Sequence, residues 1–540
     1  MSDGSTDVLI VGGGPVGLST ALFLARKGIR PILVERRPRL STIPRATGLH
    51  ARTVEIFRTV GLEPAVQQAG MKIVGPGAEL DLVRAGRATP LVMLGAQSLA
   101  DLHKSFVMEA HDVDYDPFTP SWPIWCGQDH YEPLLHDAAV EAGAEIRFQN
   151  ELIGLTQDQD GVTATVNDNG TTRTIRARYV VAADGVKSPV RNMLEIGDRS
   201  NGVAGNFVSI IFRAKVDLPE SAPRFTLIYL MNQLAQGLLL FIEPGRWMFG
   251  VNYYPERGQS PADFTPERCV ELARIAAGDP ELEVEVESAQ PWDARHMVAD
   301  AYQSGRVFLA GDACHAHPPA GGFGVNAGIQ DAHNLAWKLA DVLAGRADES
   351  LLDSYEAERR PVGAATADQA WMLFRTRGQL ADEDKAAYRD FVIVTMGYRY
   401  TSNAIVGAPA DTELLPRELT FTGQPGSRAP HGWVDHDGAR VSTIDVLTEG
   451  WTLATAPGDD TWLAAAEAVS AETGLPIKAL TAGPDGDLAD DGSWLASCGV
   501  GPGGALLVRP DGIVAWRSAG PVDDQAKTLA AALATILRGA

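Results

Sequence analysis

The chain has 540 residues, 45% hydrophobic and 21% charged, which is ordinary soluble composition and length for roughly two to four domains. A formal net charge of −23 excludes nucleic acid or an anionic membrane surface as the main partner, although 46 Lys and Arg leave room for local anion sites. No apolar run reaches the ~18 residues of a membrane span and no leader-like segment precedes the first strand; Cys126, Cys269, Cys314 and Cys498 lie far apart without a CxxC pair, which points to reduced thiols in the cytoplasm.

Asp7–Val11 is a short apolar run that stops at Gly12 and predicts a buried parallel strand. Pro15–Lys27 predicts a helix with Leu18, Ala21, Leu22 and Ala25 on one face, and Ile32–Glu35 a second strand. Between strand and helix stands Gly12-x-Gly14-x-x-Gly17. Gly12 permits the tight turn, Gly14 lets the backbone approach a pyrophosphate, and Gly17 lets the helix pack on the sheet. The helix start at Pro15 favours that anion through its free N–H groups and dipole. Glu35 ends the second strand where it can bind a ribose hydroxyl; an acid there suits NAD or the adenosine of FAD rather than a 2′-phosphate. No second such glycine motif follows, so a nicotinamide co-substrate would have no dinucleotide domain of its own.

"PRATGLHARTVEIFRTVGL" (Pro44–Leu62) follows; its Arg45 can stack on a ring, donate to it, or anchor an anion. Gln128 precedes the helical stretch Tyr131–Ala142. Turn chemistry at Asp158–Gly161 and Asn167–Gly170 divides Glu145–Val181 into the strands of a meander. "RARYVVAADGVKSPVR" is a strand ending at Asp184-Gly185, placed for a phosphate or sugar, with a helix N-cap as the alternative reading of Asp184. Asn206–Tyr254 predicts an antiparallel sheet whose large side chains suit a pocket wall. Phe225, Tyr229, Phe241, Trp247, Phe249 and Tyr253 are the candidates, and strand alternation sends about half of them to the far face.

The strand Arg306–Ala310 runs into "GDACHAHPPAGGFGVNAGIQDAHNLAWKLADVL" (Gly311–Leu343). Asp312 is an acceptor for a sugar hydroxyl, and Gly321, Gly322 and Gly324 let backbone lie close to a flat ring. Asn326 is expected to cap a helix over 326–343 with the apolar face Ile329, Ala332, Leu335, Ala336, Leu339 and Leu343. Cys314, His315 and His317 are metal-ligand types, but adjacent side chains converge poorly on one tetrahedral ion, and Pro318-Pro319 suits a rigid loop over a cofactor. No metal is expected, and His315 reads as structural. From about Pro425 a Gly-, Pro- and Asp-rich region carries its own strands and helices, a separate small α/β domain.

With these three motifs in this order, the sequence resembles the flavin monooxygenases of the para-hydroxybenzoate hydroxylase type, and in particular the bacterial aromatic polyketide hydroxylases of anthracycline, angucycline and tetracenomycin pathways. The resemblance spans most of the chain. It implies an α/β architecture: a discontinuous Rossmann-like FAD-binding domain (1–75, 105–190, 285–395), an interleaved antiparallel-sheet substrate domain (76–104, 191–284), a linker (396–424), and a thioredoxin-like domain (425–540) that lacks CxxC and therefore thiol–disulfide exchange. FAD would be held by Gly12, Gly14, Pro15, Gly17, Glu35, Arg36, Arg45, Gln128, Asp184, Gly185, Gly311, Asp312, Pro319, Gly321, Gly322, Gly324, Val325 and Asn326, with Arg45 and Pro318 at its reacting edge. The helix start near Asn326 would favour anionic reduced flavin by roughly 0.3–2 kcal/mol.

The implied reaction uses NADPH or NADH as transient reductant and O2, and passes one oxygen through a flavin hydroperoxide to a polycyclic phenol. Baeyer–Villiger insertion, epoxidation and antibiotic inactivation use the same chemistry; a flavin-bound sequestering protein without turnover is the alternative from another class. "WPIW" (Trp122–Trp125) departs from the WxWxIP signature of flavin halogenases. A homodimer is left open.

Overall fold

Apolar runs that each stop at a glycine or an acid build the central sheet, and the computed structural model describes residues 2–70, 91–111, 113–219, 225, 227–376, 380–458 and 460–539. β1 (Ser2–Val11), α1 (Pro15–Arg26) and β2 (Ile32–Glu35) form the opening βαβ unit, followed by α2 (Ala51–Thr59), β3 (Leu91–Ala96), β4 (Phe106–His111) and α3 (Gln128–Glu141). The meander is β5 (Glu145–Phe148), β6 (Asn150–Asp158), β7 (Gly161–Asp168) and β8 (Thr171–Ala182), and α4 (Pro189–Met193) comes next. The parallel core runs β8-β1-β2-β5, extended beyond β8 by β14 (Val307–Leu309). Val11 pairs with both Val34 and Ala182, and Ala182 pairs with Leu309. This register ends four strands in one row. Val8, Leu9 and Ile10 are fully buried, as expected for strands covered on both faces.

The second sheet contains β9 (Asp198–Arg213), β10 (Leu227–Asn232), β11 (Ala235–Glu243), β12 (Arg246–Tyr253) and β13 (Glu285–Ala299), in the order β13-β9-β12-β11-β10-β3-β4. It is antiparallel except where β10 lies parallel to β3. One face buries Val208, Ile210, Leu239, Phe249 and Val251 against Cys269, Leu272 and Ala276 of α5 (Pro266–Ala277). At its edge, His315–Ala316 pairs with β13, so the loop after β14 stitches the two sheets together.

β4 and β13 belong to this second sheet, although the sequence division assigned 105–190 and 285–395 to the FAD-binding domain. Sheet membership is decided by hydrogen-bond partners far along the chain, which local patterns do not carry. Residues 71–75 and 76–90 of the two expected segments lie outside the described residues.

α6 (Phe323–Leu343) and α7 (Asp353–Thr376) follow β14, then α8 (Phe391–Met396). Residues 397–424 form no helix or strand, as a linker should, yet Tyr398, Tyr400 and Ile405 are buried with Val362 and Ile513. The C-terminal unit is a sheet of β15 (Trp451–Thr455), β16 (Ile477–Thr481), β17 (Ala505–Val508) and β18 (Val514–Ser518) in the order β16-β15-β17-β18, with helices α9 (Asp460–Thr473) and α10 (Gln525–Arg538). Among the described residues, no helix is long and apolar enough to cross a membrane.

Candidate active site

The shared row end of β1, β2, β8 and β14 brings the three motifs to one carboxyl edge, the place where parallel sheets bind ligands. Gly12 N–H donates to Val34 O (2.9 Å), Ala183 N–H to Val11 O (2.8 Å) and Ala310 N–H to Ala182 O (2.9 Å). Together they line a cavity of about 2710 Å³ that continues to the second sheet. Gly12 has φ +108°, and a Cβ there would lie 2.3 Å from Ala183 O; one on Gly17 would lie 1.9 Å from Gly12 O. These two glycines shape the turn and seat α1. Gly14 differs, because nothing lies within 4 Å of an added Cβ and the residue faces the cavity. It caps α1, with Pro15 at the first helical position and no side chain covering the first-turn amides.

Glu35 accepts from Gly13 N (2.6 Å) and Arg37 N (2.8 Å), and Arg36 lines the same end of the cavity. Gln128 begins α3, its N–H donates to Arg45 O (3.1 Å), and its side-chain amide donates to buried Glu132. Glu132 also accepts from Ser41 N (3.1 Å); burial pushes its pKa up to about 7 against those two bonds. Burial lowers the Arg45 pKa and Arg37 adds to this, while Glu132 and Asp312 oppose it. Both Arg45 and Gln128 line the cavity.

Asp184 accepts from Ser188 Oγ (2.6 Å) and Val190 N (3.0 Å), so its carboxylate tethers the start of α4, but the N-cap of that helix is Ser188, which accepts from Arg191 N, and not Asp184. Asp184 and Gly185 still border the cavity. Asp312, Pro318, Pro319, Gly321, Gly322, Gly324 and Val325 line the opposite flank. Burial raises the Asp312 pKa, opposed by His315 and Arg45. Gly321 and Gly322 have φ +79° and +62°, a left-handed turn that leads straight into α6.

α6 therefore starts at Phe323, not at 326, and Gly322 is its cap. Asn326 is buried inside the first turn and does not cap the helix. Its Oδ1 accepts from His50 N (2.8 Å) while Nδ2 donates to Gly48 O and Gly322 O (both 2.9 Å). This ties the helix start to the Gly48–His50 segment that leads into α2. No side chain caps α6, which leaves its first amides available at the cavity.

Cys314, His315 and Asp331 bring a thiol, an imidazole and a carboxylate within 4.8 Å of one another. The Asp331 carboxylate is already engaged by Gly311 N (3.0 Å), His315 Nε2 (2.7 Å) and Arg359 Nε (2.7 Å). Burial raises its pKa, but His315 and Arg359 outweigh that and hold it below the usual range. The guanidinium at the same carboxylate disfavours a cation there, so the cluster works as a buried ion-pair network under the Gly311 loop. Gly311 itself, absent from the cavity lining, supplies the turn.

The pocket wall corrects the sequence candidates. Phe225, Trp247 and Phe249 are buried on the far face against α5, and Phe241 packs edge-on against Trp247 at 5.3 Å. Side chains alternate along a strand, and register puts Phe207, Ser209, Leu238, Leu240, Met248, Gly250, Gln290 and Trp292 on the cavity face instead. Tyr229 and Tyr253 do line the cavity. Met93, Leu227 and Leu240 with Met108, Leu238 and Met248 make an apolar plate, and Trp292 stacks on Phe207 at 4.5 Å while donating to Ser209 Oγ (2.8 Å).

Sequence reasoning also missed His50 and Gly328. His50 Nε2 lies 3.0 Å from Gly321 O, and burial holds its pKa down to about 3, so it is neutral. A Cβ on Gly328 would lie 2.6 Å from Val16 and 2.9 Å from Gly311, which makes this glycine the close crossing of α6 over the first turn of α1 and the Gly311 loop. Their partners lie 271 and 17 or more residues away, and no local pattern marks them.

A glycine-lined pyrophosphate turn, an acid at the end of β2, open helix starts at α1 and α6, and a flat left-handed glycine turn fit an elongated dinucleotide carrying a ring, and define a flavoprotein that binds FAD. Residues 5–370 match the family model "FAD binding domain", and residues 422–540 match "Aromatic-ring hydroxylase, C-terminal". The chain belongs to this family of FAD-dependent aromatic-ring hydroxylases and is a monooxygenase. It is 45% identical to a tetracenomycin A2 monooxygenase-dioxygenase of Streptomyces glaucescens, over 99% of this chain and 98% of that one. It is 38% identical to a 4-methyl-5-nitrocatechol 5-monooxygenase of a Burkholderia species, over 98% of this chain and 97% of that one. The crystal structure of aklavinone-11 hydroxylase with FAD and aklavinone superposes with a TM-score of 0.89 at 36% identity, covering 99% of this chain and 100% of that one.

Proposed function

We propose that the protein hydroxylates a polycyclic aromatic polyketide bearing a phenol, with NADPH or NADH as reductant and O2 as co-substrate. The observation that carries this reading is the apolar plate of Met93, Leu227, Leu238, Leu240 and Met248, continued by the Phe207–Trp292 stack, along one wall of the large cavity. A planar, multi-ring substrate can bury its face there. The relatives that act on tetracenomycin A2 and aklavinone support it.

Bound FAD supplies the redox chemistry that activates oxygen. The chain's own residues bind and orient. Glu35 takes the ribose end and Gly12, Gly14, Pro15, Gly17 and Arg36 the pyrophosphate. Gln128, Asp184, Gly185 and Asp312 serve the sugar chain, and Pro319, Gly321, Gly322, Gly324 and Val325 form the bed of the ring. Arg45 and Pro318 flank the reacting edge, and the open start of α6 favours negative charge beside it. The apolar plate and Trp292 exclude water from the substrate face.

The test is product mass from purified protein given NADPH, oxygen and a panel of tetracyclic phenols beside the single-ring 4-methyl-5-nitrocatechol. Added oxygen on a tetracyclic phenol with an intact carbon skeleton is expected. Turnover of the single ring with the tetracyclic phenols untouched overturns the proposal, and a lactone product overturns the hydroxylation.

A further inference from the structure

The C-terminal domain has no CxxC, and among the described residues it contributes none to the cavity lining. Its β17–β18 turn, Arg509-Pro510-Asp511-Gly512, nevertheless inserts into the FAD-binding body and is almost wholly buried there: Arg509 is 0% and Asp511 3% exposed. The turn is shaped by Gly512 (φ +78°), whose N–H donates to Arg509 O (2.9 Å).

Arg509 forks onto Glu358 of α7, with Nη1 to Oε1 at 2.6 Å and Nη2 to Oε2 at 3.0 Å, and its Nε holds Asp511 Oδ1 at 3.0 Å. Glu358 is shared with Lys338 (2.9 Å) and Asn334 (2.6 Å), both on α6. The turn therefore grips the helix whose start lies at the flavin bed.

A second grip goes through α2. Arg52 Nη2 donates to the Asp511 carbonyl at 2.7 Å, and Arg52 pairs with Glu55. Two residues before Arg52, His50 contacts Asn326 through its backbone and Gly321 through its ring. Glu55 in turn accepts from Thr119 (2.6 Å) and lies 3.6 Å from Arg428, which donates to Phe118 O. Tyr115 and Trp122, on either side of Thr119, line the cavity. One buried chain of contacts thus runs from a C-terminal turn to the flavin bed and to the cavity wall.

We propose that the Arg509–Gly512 turn is a positioning clamp for the FAD site, acting through Arg52 on the start of α2, whose neighbour His50 holds the start of α6, and through Glu358 on the body of α6. Planar, bidentate guanidinium contacts fix direction as well as distance, and lysine cannot reproduce them. A clamp of this kind binds in concert with FAD, so damage to it falls on the FAD-bound state more than on the FAD-free state.

Arg52→Lys keeps the charge beside Glu55 and removes the Nη2 donation to the Asp511 carbonyl. FAD affinity is measured by flavin fluorescence, and melting temperature with and without added FAD. The expected result is about a tenfold rise in the FAD Kd and a larger drop in melting temperature with FAD than without it. Arg509→Lys makes the same comparison at the other end of the clamp, and carries the test if Arg52→Lys does not accumulate as folded protein. Equal drops in both states with an unchanged FAD Kd overturn the proposal and leave the turn a purely structural contact.

Discussion

Glu35 and Gly13 are joined by a 2.6 Å hydrogen bond from the backbone amide to the carboxylate, which locks the end of β2 onto the glycine loop. The second carboxylate oxygen takes the Arg37 amide at 2.8 Å. Two backbone donors hold the acid in one orientation before any ligand arrives, so the direction of this carboxylate is built into the backbone. Glu35→Gln replaces one acceptor by a donor and should weaken FAD binding; an unchanged FAD Kd in a fluorescence titration would contradict this.

Two neighbouring glycines should separate fold from function. Gly12→Ala meets both a positive φ and a 2.3 Å contact with Ala183 O, costing roughly 1–3 kcal/mol of strain and a similar amount of overpacking. Its FAD-free melting temperature should fall. Gly14→Ala meets nothing within 4 Å, so the FAD-free protein should melt as before while FAD retention drops. Equal behaviour of the two variants refutes the distinction.

Opposite faces of one strand should give opposite phenotypes. Phe249→Ala opens the core against α5 and should cost ~3–5 kcal/mol in urea denaturation without changing which phenol is accepted. Gly250→Leu projects into the cavity and should raise the KM for large substrates with little loss of stability. Steady-state kinetics on bulky and small phenols decides it, and a selectivity change in Phe249→Ala alone would reverse the assignment of faces.

Glu132 makes stability pH-dependent. Its pKa of about 7 in the folded protein lies above the unfolded value of ~4.3, so its contribution is fully present below ~4.3 and is lost as pH rises through 7. The loss amounts to at most roughly 4 kcal/mol. Glu132→Gln should flatten the fall in stability across this window; an identical slope in both proteins rules out Glu132 as its source.

Asp331→Asn should strand the buried Arg359 guanidinium and cost ~3–5 kcal/mol, read as a lowered chemical-denaturation midpoint. A midpoint like that of the parent would show that the His315–Asp331–Arg359 network does not support the Gly311 loop.

Much of this was legible in the chain. Gly12, Gly14, Gly17 and Glu35 act within one βαβ unit, so their spacing alone encodes their geometry, and the Asp184 and Asp312 loops each end their own strand. Asn326 was misread as a cap because Asn is a common cap, whereas the left-handed Gly321-Gly322 turn starts α6 three residues earlier. Alternation predicts that about half of the six aromatic candidates face away from the cavity, but which ones depends on register: Phe225, Phe241, Trp247 and Phe249 face away, and Tyr229 and Tyr253 line it.

Local sequence thus determined the glycine turn, the acid at the end of β2 and the fold class, because each depends on contacts within one supersecondary unit. Only the tertiary structure decided which face of the second sheet meets the cavity, that β4 and β13 join that sheet, and that Arg509 and Arg52 bind the C-terminal turn to α7 and α2. Those outcomes depend on register and on buried partners hundreds of residues apart, where a shift of one residue turns every side chain to the other face.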